Sequence, residues 1–149
     1  MSKVSERIFR IRKENDLSQA KMSEMLGIGR STYKNYEVAQ SDPSLSLLVK
    51  IAVIFDVSID YIVGRCDEKK SIRQFYDIEN KTSFSTRIRE LRIKANMTQT
   101  EVAKAVGLTQ RATYVSYERA EKEPSLPRLI ALADLFGVSL NYLVGFDEK

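Results

Sequence analysis

Histidine is absent from the 149-residue chain, and cysteine occurs once, at Cys66. The first absence removes the commonest metal ligand and the commonest general base. The second excludes an intramolecular disulfide and a thiolate metal cage, and leaves Cys66 as an ordinary linker thiol. Long apolar runs are also missing. The longest, Leu47-Leu48-Val49 and Ile51-Ala52-Val53-Ile54-Phe55, are separated by Lys50 and ended by Asp56, far short of the roughly 20 residues a membrane span needs. The segment Met1-Ser2-Lys3-Val4-Ser5-Glu6-Arg7 has no apolar core of the signal-peptide kind. A cytoplasmic protein with no membrane partner is therefore expected. No nucleophile–base pair, ligand cluster or glycine-rich phosphate loop stands out, so an enzyme, a metal and a cofactor are not expected. Proline is sparse and no stretch alternates with period two, which speaks against sheets.

What the chain does contain is a copy of itself. Arg7-Ile8 matches Arg87-Ile88, Gln19 matches Gln99 and Gly27 matches Gly107, an offset of 80 (107 − 27). Further on, Thr32-Tyr33 matches Thr113-Tyr114, Tyr36-Glu37 matches Tyr117-Glu118, and Pro43-Ser44-Leu45 matches Pro124-Ser125-Leu126. Val63-Gly64 matches Val144-Gly145, an offset of 81 (145 − 64), so the second copy carries one extra residue between Gly107 and Thr113. Self-similarity of this length marks two small domains rather than a solenoid unit. The expected division is 1–65 for the first domain, 66–83 for a linker and 84–149 for the second. The linker holds the charged run Asp67-Glu68-Lys69-Lys70 and an apolar set, Ile72, Phe75, Tyr76 and Ile78. It reads equally as a solvated connection or as a helix that packs on a domain or a partner.

Each copy reads as five short helices. Val4, Ile8 and Ile11 lie on one stripe, ended at Asn15-Asp16. Ser18 can cap a second helix, and Thr98-Gln99-Thr100-Glu101 forms a capping-box pattern at the matching point. Gly27 and Gly107 close that helix, since glycine accepts the positive φ of a tight exit turn. A third helix runs from about Arg30 to Val38, and in the second copy from about Gln110 to Ala120. Pro43-Ser44 and Pro124-Ser125 open a fourth. Ser58 and Ser139 cap a fifth that stops at Gly64 and Gly145. The fold class is all-α.

The second and third helices, joined at the glycine, have the makings of a helix-turn-helix, in which the second member can enter a DNA major groove. Met22, Leu26, Ile28, Tyr33 and Tyr36 are candidate anchors toward the body. Arg30, Ser31, Lys34 and Asn35 fall on one polar face. This sequence, with Pro43-Ser44-Leu45 and Val57-Ser58-Ile59-Asp60-Tyr61-Ile62-Val63-Gly64 after it, resembles the phage repressor/Cro (Xre) helix-turn-helix family. The second copy resembles it through Thr98-Gln99, Gly107, Tyr114, Tyr117-Glu118, Pro124-Ser125-Leu126 and Val138 to Gly145. The resemblance implies two five-helix domains of the lambda-repressor type and a transcriptional regulator, by family default a repressor. It implies double-stranded DNA as partner. A homodimer is compatible with it, and no small-molecule effector can be named. By position, Gln19 and Gln99 would touch the DNA backbone, and Arg30, Ser31 and Asn35 would read bases. Arginine can donate twice to guanine and asparagine can pair with adenine. Lys34, Arg7 and Arg10 suit phosphate, which adds affinity without sequence information.

The second copy departs from this pattern. Its face reads Gln110, Arg111, Val115 and Ser116, with less charge and shorter reach. An extra residue within the helix would turn its neighbours by about 100°; absorbed in the turn, it would leave Gln110 and Arg111 able to reach DNA. The competing reading makes the second copy a dimerisation or protein-interaction module, antitoxin-like. Tyr33, Tyr36, Tyr114 and Tyr117 read as core anchors, and Tyr61 and Tyr142 as packing the last helix on the body. Glu37 and Glu118, which DNA would repel, read as partners of first-helix arginines such as Arg12 and Arg92.

Overall fold

The computed structural model describes residues 2–75 and 83–146. The chain divides into two compact units, Met1–Arg73 and Gln74–Lys149. The first is built from α1 (Lys3–Glu14), α2 (Gln19–Leu26), α3 (Arg30–Glu37), α4 (Leu45–Phe55) and α5 (Ile59–Ile62). The second repeats them as α6 (Phe84–Lys94), α7 (Gln99–Ala105), α8 (Arg111–Glu118), α9 (Leu126–Phe136) and α10 (Leu140–Leu143). Apart from one 3-10 turn at Arg73–Phe75, the regular structure among the described residues is α-helical. None of these helices is long and apolar enough to cross a membrane.

Hydroxyl caps set most of the helix starts. Ser2, Ser18, Ser44 and Ser58 each accept a hydrogen bond from the backbone N–H three residues on, at 3.0–3.2 Å. Ser83, Thr98 and Ser139 do the same in the second unit. At Thr98 the capping box closes, its own N–H donating to Glu101 at 2.9 Å. Each such cap contributes about 1 kcal/mol. Ser125 has no side-chain cap bond, and Pro127 stands in the first turn of α9 instead. In each unit the helices close around one apolar core. Ile8, Met22, Tyr33, Leu48, Ile51 and Ile62 are fully buried in the first, as are Ile88, Val102, Tyr114, Leu132, Leu140 and Leu143 in the second.

Part of the span read as a linker belongs to the first unit. Asp67 pairs with Arg7 at 2.5 Å and Lys69 pairs with Glu14. The Asp56 carboxylate accepts from the Ser71 hydroxyl at 2.8 Å and from the Ile72 and Arg73 N–H groups at 2.9 and 3.2 Å. Those three donors hold the Asp56 carboxyl below the usual carboxylate range, the Ser71 hydroxyl most of all. Ile72 is 2% exposed. Residues 66–73 thus form a strap across α1, α4 and α5. Phe75 is half-buried, and Tyr76 and Ile78 lie outside the described residues.

Ala39 and Ala120 occupy matching positions just past α3 and α8, with φ of +59° and +58°. A left-handed alanine presses its Cβ against the following carbonyl, a strain glycine lacks. Ala39→Gly should therefore raise stability by about 0.5–1 kcal/mol despite the freer unfolded chain. A thermal melt of the full chain reads this directly; a lower melting temperature would show that the strain is already relieved.

Candidate nucleic-acid interface

The register question at the second copy resolves in the turn. α2 ends at Gly27 (φ +69°) and α3 begins three residues later. In the second copy Gly107 (φ +78°) is followed by Leu108, Thr109 and Gln110 before Arg111 opens α8. The loop absorbs the added residue, so α8 keeps the rotation of α3: Arg111 stands where Arg30 stands, Val115 where Lys34 stands and Ser116 where Asn35 stands.

On α3, Arg30, Ser31 and Lys34 are exposed side by side, with Thr32 beside them, and Asn35 sits half-buried at the edge of the same face. The opposite face is anchored by Tyr33, fully buried. On α8, Arg111 and the capping Gln110 are exposed, but Val115 is half-buried. Ser116 is 6% exposed and its hydroxyl donates to the Thr113 carbonyl. This corrects the sequence expectation that Ser116 shares the reading face. It has a shorter side chain than Asn35, and the local backbone satisfies it.

Behind each third helix lies a buried ion pair that fixes it to the first. Arg12 donates through Nε to Glu37 Oε1 at 2.5 Å and through Nη2 to Oε2 at 3.2 Å, while Nη1 reaches the Leu17 carbonyl at 2.9 Å. The Tyr33 hydroxyl donates to Glu37 Oε1 at 2.6 Å. Burial alone would raise the Glu37 carboxyl; the hydrogen bonds from Arg12, Tyr33 and Gln19 outweigh it and leave it lowered. Burial, with the bond to Glu37, pushes the Tyr33 hydroxyl up. The second unit repeats the pair, with Arg92 Nε on Glu118 Oε1 at 2.6 Å and Nη1 on the Met97 carbonyl at 3.1 Å. These are the arginine partners expected for Glu37 and Glu118.

Both matching glutamines join this network. Gln19 Nε2 donates to Glu37 Oε2, and Gln99 Nε2 to Glu118 Oε2, each at 2.9 Å. In the second unit Arg111 Nη2 donates to Gln99 Oε1 at 2.7 Å, which ties the head of α8 to the head of α7. The expectation that Arg7 meets phosphate is corrected: it is 4% exposed, bonded to Asp67 and stacked 4.2 Å above the Tyr61 ring. Arg10 is exposed and pairs with Glu6 at 3.2 Å.

Several side chains at this surface left no mark in the repeat. Lys50 Nζ donates to the Leu26 carbonyl at 3.0 Å, and Arg128 Nη1 to the Val106 carbonyl at 2.8 Å. Each places a cation at the negative end of the second helix and steadies the turn. Yet Lys50 aligns with Ala131 and Arg128 with Leu47, so alignment of the copies hides the shared task. Arg89 and Arg119 line a concavity of about 310 Å³ with Arg92, Gln99 and Arg111. Their counterparts are Phe9 and Val38, exposed apolar residues. The second unit therefore recovers around α8 the charge it lacks on α8 itself.

Two helical units, each presenting the second member of a short helix pair bent at a left-handed glycine, define a tandem helix-turn-helix protein. The comparison with known families agrees. A family model described as helix-turn-helix matches twice, over residues 8–62 and 88–143, and the chain belongs to that family, in its phage repressor/Cro (Xre) type. Similar proteins include the uncharacterized HTH-type transcriptional regulator YobD of Bacillus subtilis, 35% identical over 48% of this chain and 70% of that protein. The cryptic phage CTXphi transcriptional repressor RstR of Vibrio cholerae is 40% identical over 42% of this chain and 56% of its own length. An HTH-type transcriptional regulator of Archaeoglobus fulgidus is 42% identical over 43% of this chain and 89% of its own. The chain thus spans between about half and nine-tenths of these relatives. No solved structure gives a significant match.

Proposed function

We propose that this protein is a DNA-binding transcriptional regulator, acting as a repressor, that places α3 and α8 in the major groove of double-stranded DNA. The observation that carries this reading is the exposed set Arg30, Ser31 and Lys34 on a helix whose opposite face is locked to the body. An α-helix so presented fits the width of the groove. Arg30 and Asn35 read base edges with Ser31 beside them, while Lys34 and Arg10 meet phosphate. Gln19 and Gln99, at the heads of α2 and α7, offer a phosphate their remaining amide hydrogen.

In the second copy Gln110 and Arg111 are the remaining base readers. Arg89 and Arg119, beside them, make that unit chiefly a phosphate grip. Arg119→Ala in the full chain should weaken binding to selected and random duplexes alike and reduce the salt slope by about one. Loss confined to one duplex sequence would assign Arg119 to base reading instead.

Selection of bound duplexes from random DNA by the full chain tests the whole proposal. Two half-sites in the recovered sequences would place both units on DNA, and one half-site would leave the second unit to another task. No enrichment at low salt would sink the reading. The loss of Ser116 from the exposed face of α8 favours a second reading, in which the first unit alone selects sequence and the second serves a partner protein.

A further inference from the structure

The two units differ where α1, α4 and α5 of the first meet residues 66–73 and where α6, α9 and α10 of the second line a groove. In the first, the strap of residues 66–73 lies over α1, α4 and α5 and seals that face. Ile11 is 1%, Val57 6% and Tyr61 1% exposed beneath it. The counterparts Leu91, Val138 and Tyr142 are each only half-buried. They belong to a groove of about 420 Å³ whose walls include Leu91, Ala95, Leu135, Phe136, Val138 and Tyr142. On α6 the residues facing this groove, Leu91, Lys94 and Ala95, point away from Arg89 and Arg92, which face the cationic concavity.

Among the described residues, the charges lining the two faces differ in a way that sets which occupant each would suit. In the first unit Arg7 stacks on Tyr61 and is satisfied by Asp67, while Glu14 is satisfied by Lys69. In the second, Arg87 stacks on Tyr142 at 4.1 Å, and its Nε is buried with no hydrogen-bond partner among the described residues. A buried donor left unpaired costs free energy until an acceptor arrives. Lys94 replaces Glu14 at the groove wall, which turns the charge preference there from basic to acidic. Gly137 replaces Asp56, so the carboxylate that pins the strap backbone is gone from that edge.

We propose that this groove docks an extended segment of a partner protein in which an aliphatic side chain follows two or more carboxylates. The aliphatic residue takes the place Ile72 fills in the first unit. One carboxylate meets Arg87 where Asp67 meets Arg7, and another meets Lys94 where Lys69 meets Glu14. The first unit's own strap is a poor fit, because its lysine would face Lys94. The site is separate from the third helix, so a partner held here leaves α8 open.

The test uses the full chain without DNA and two fluorescein-labelled peptides. One is Asp-Glu-Lys-Lys-Ser-Ile-Arg, the strap itself; the other carries glutamate at its third position. The acidic peptide should bind at least tenfold more tightly and shift the methyl resonances of Leu91, Leu135 and Val138. Lys94→Glu, at an exposed position, should reverse the preference between the two peptides. Binding of neither peptide, equal binding of both, or a preference unmoved by Lys94→Glu would overturn the proposal. So would a chain that self-associates in sedimentation and is dispersed by Lys94→Glu, because the occupant would then be a second copy. A requirement for Asp147→Ala before the probe binds would also overturn it, since the chain itself would already hold Arg87.

Discussion

Glu37→Gln should lower the stability of the first unit by about 3–5 kcal/mol, because it leaves the Arg12 charge buried without its counter-charge. The Glu37 and Arg12 side chains are only 4% and 10% exposed, so water cannot take over. For a unit of this size the loss corresponds to a fall in melting temperature on the order of 15–30 °C. The double variant Arg12→Met, Glu37→Leu should recover much of it, since an apolar pair of similar volume avoids the desolvation of both charges. The pH dependence has a definite sign. The folded-state carboxyl of Glu37 is lowered, so its stabilisation is complete above the ordinary carboxylate value of about 4.3 and disappears as pH falls through the lower folded value. Glu37→Gln should remove that acid-sensitive component. Thermal melts of the full chain across acid pH check both points, and a variant melting within a few degrees of the parent at neutral pH would refute the central role of the pair.

Arg30→Ala should weaken binding to a selected duplex by about 1–3 kcal/mol, roughly 5- to 150-fold, with much less effect on random DNA. The guanidinium is exposed at the first position of α3, where a bidentate contact to guanine can form. Asn35→Ala should show the same selectivity through the loss of an adenine contact, at the lower end of the range because the side chain is half-buried. Competition binding at fixed salt separates the outcomes. Equal losses on selected and random DNA would move Arg30 to the phosphate class. The two predictions are linked through structure: Glu37 holds Arg12, Tyr33 and Gln19 together, and so sets the angle at which α3 is offered. A folded Glu37 variant should therefore lose selectivity along with stability.

Much of the fold was legible in the residues because its determinants are local. A serine or threonine three residues ahead of a free N–H can cap a helix by a local bond, and the starts of α2, α4 and α5 follow from that, although Ser125 at the head of α9 makes no such bond. Glycine at 27 and 107 marks a left-handed exit for the same reason. The pairing of Glu37 and Glu118 with Arg12 and Arg92 was legible as well, because an acid inside a basic surface must be neutralised somewhere. The site was harder to read. Arg7 looked like a phosphate ligand until Asp67, sixty residues on, was found against it. Ser116 looked equivalent to Asn35, but a short hydroxyl folds back on its own helix. Arg89 and Arg119 replace apolar residues of the first copy, so comparison of the repeats could not find them.

The amino-acid order alone settled the helices, their caps, the two copies and the polar face of α3, since these depend on hydrogen bonds and side-chain periodicity within a few residues. Only the tertiary structure decided which polar groups that face keeps and which are spent on the body. It also decided that residues 66–73 cover one unit and that, among the described residues, the matching positions of the other line a groove. Those outcomes depend on what arrives from distant parts of the chain, and burial, unlike helix capping, is a property of the packed whole.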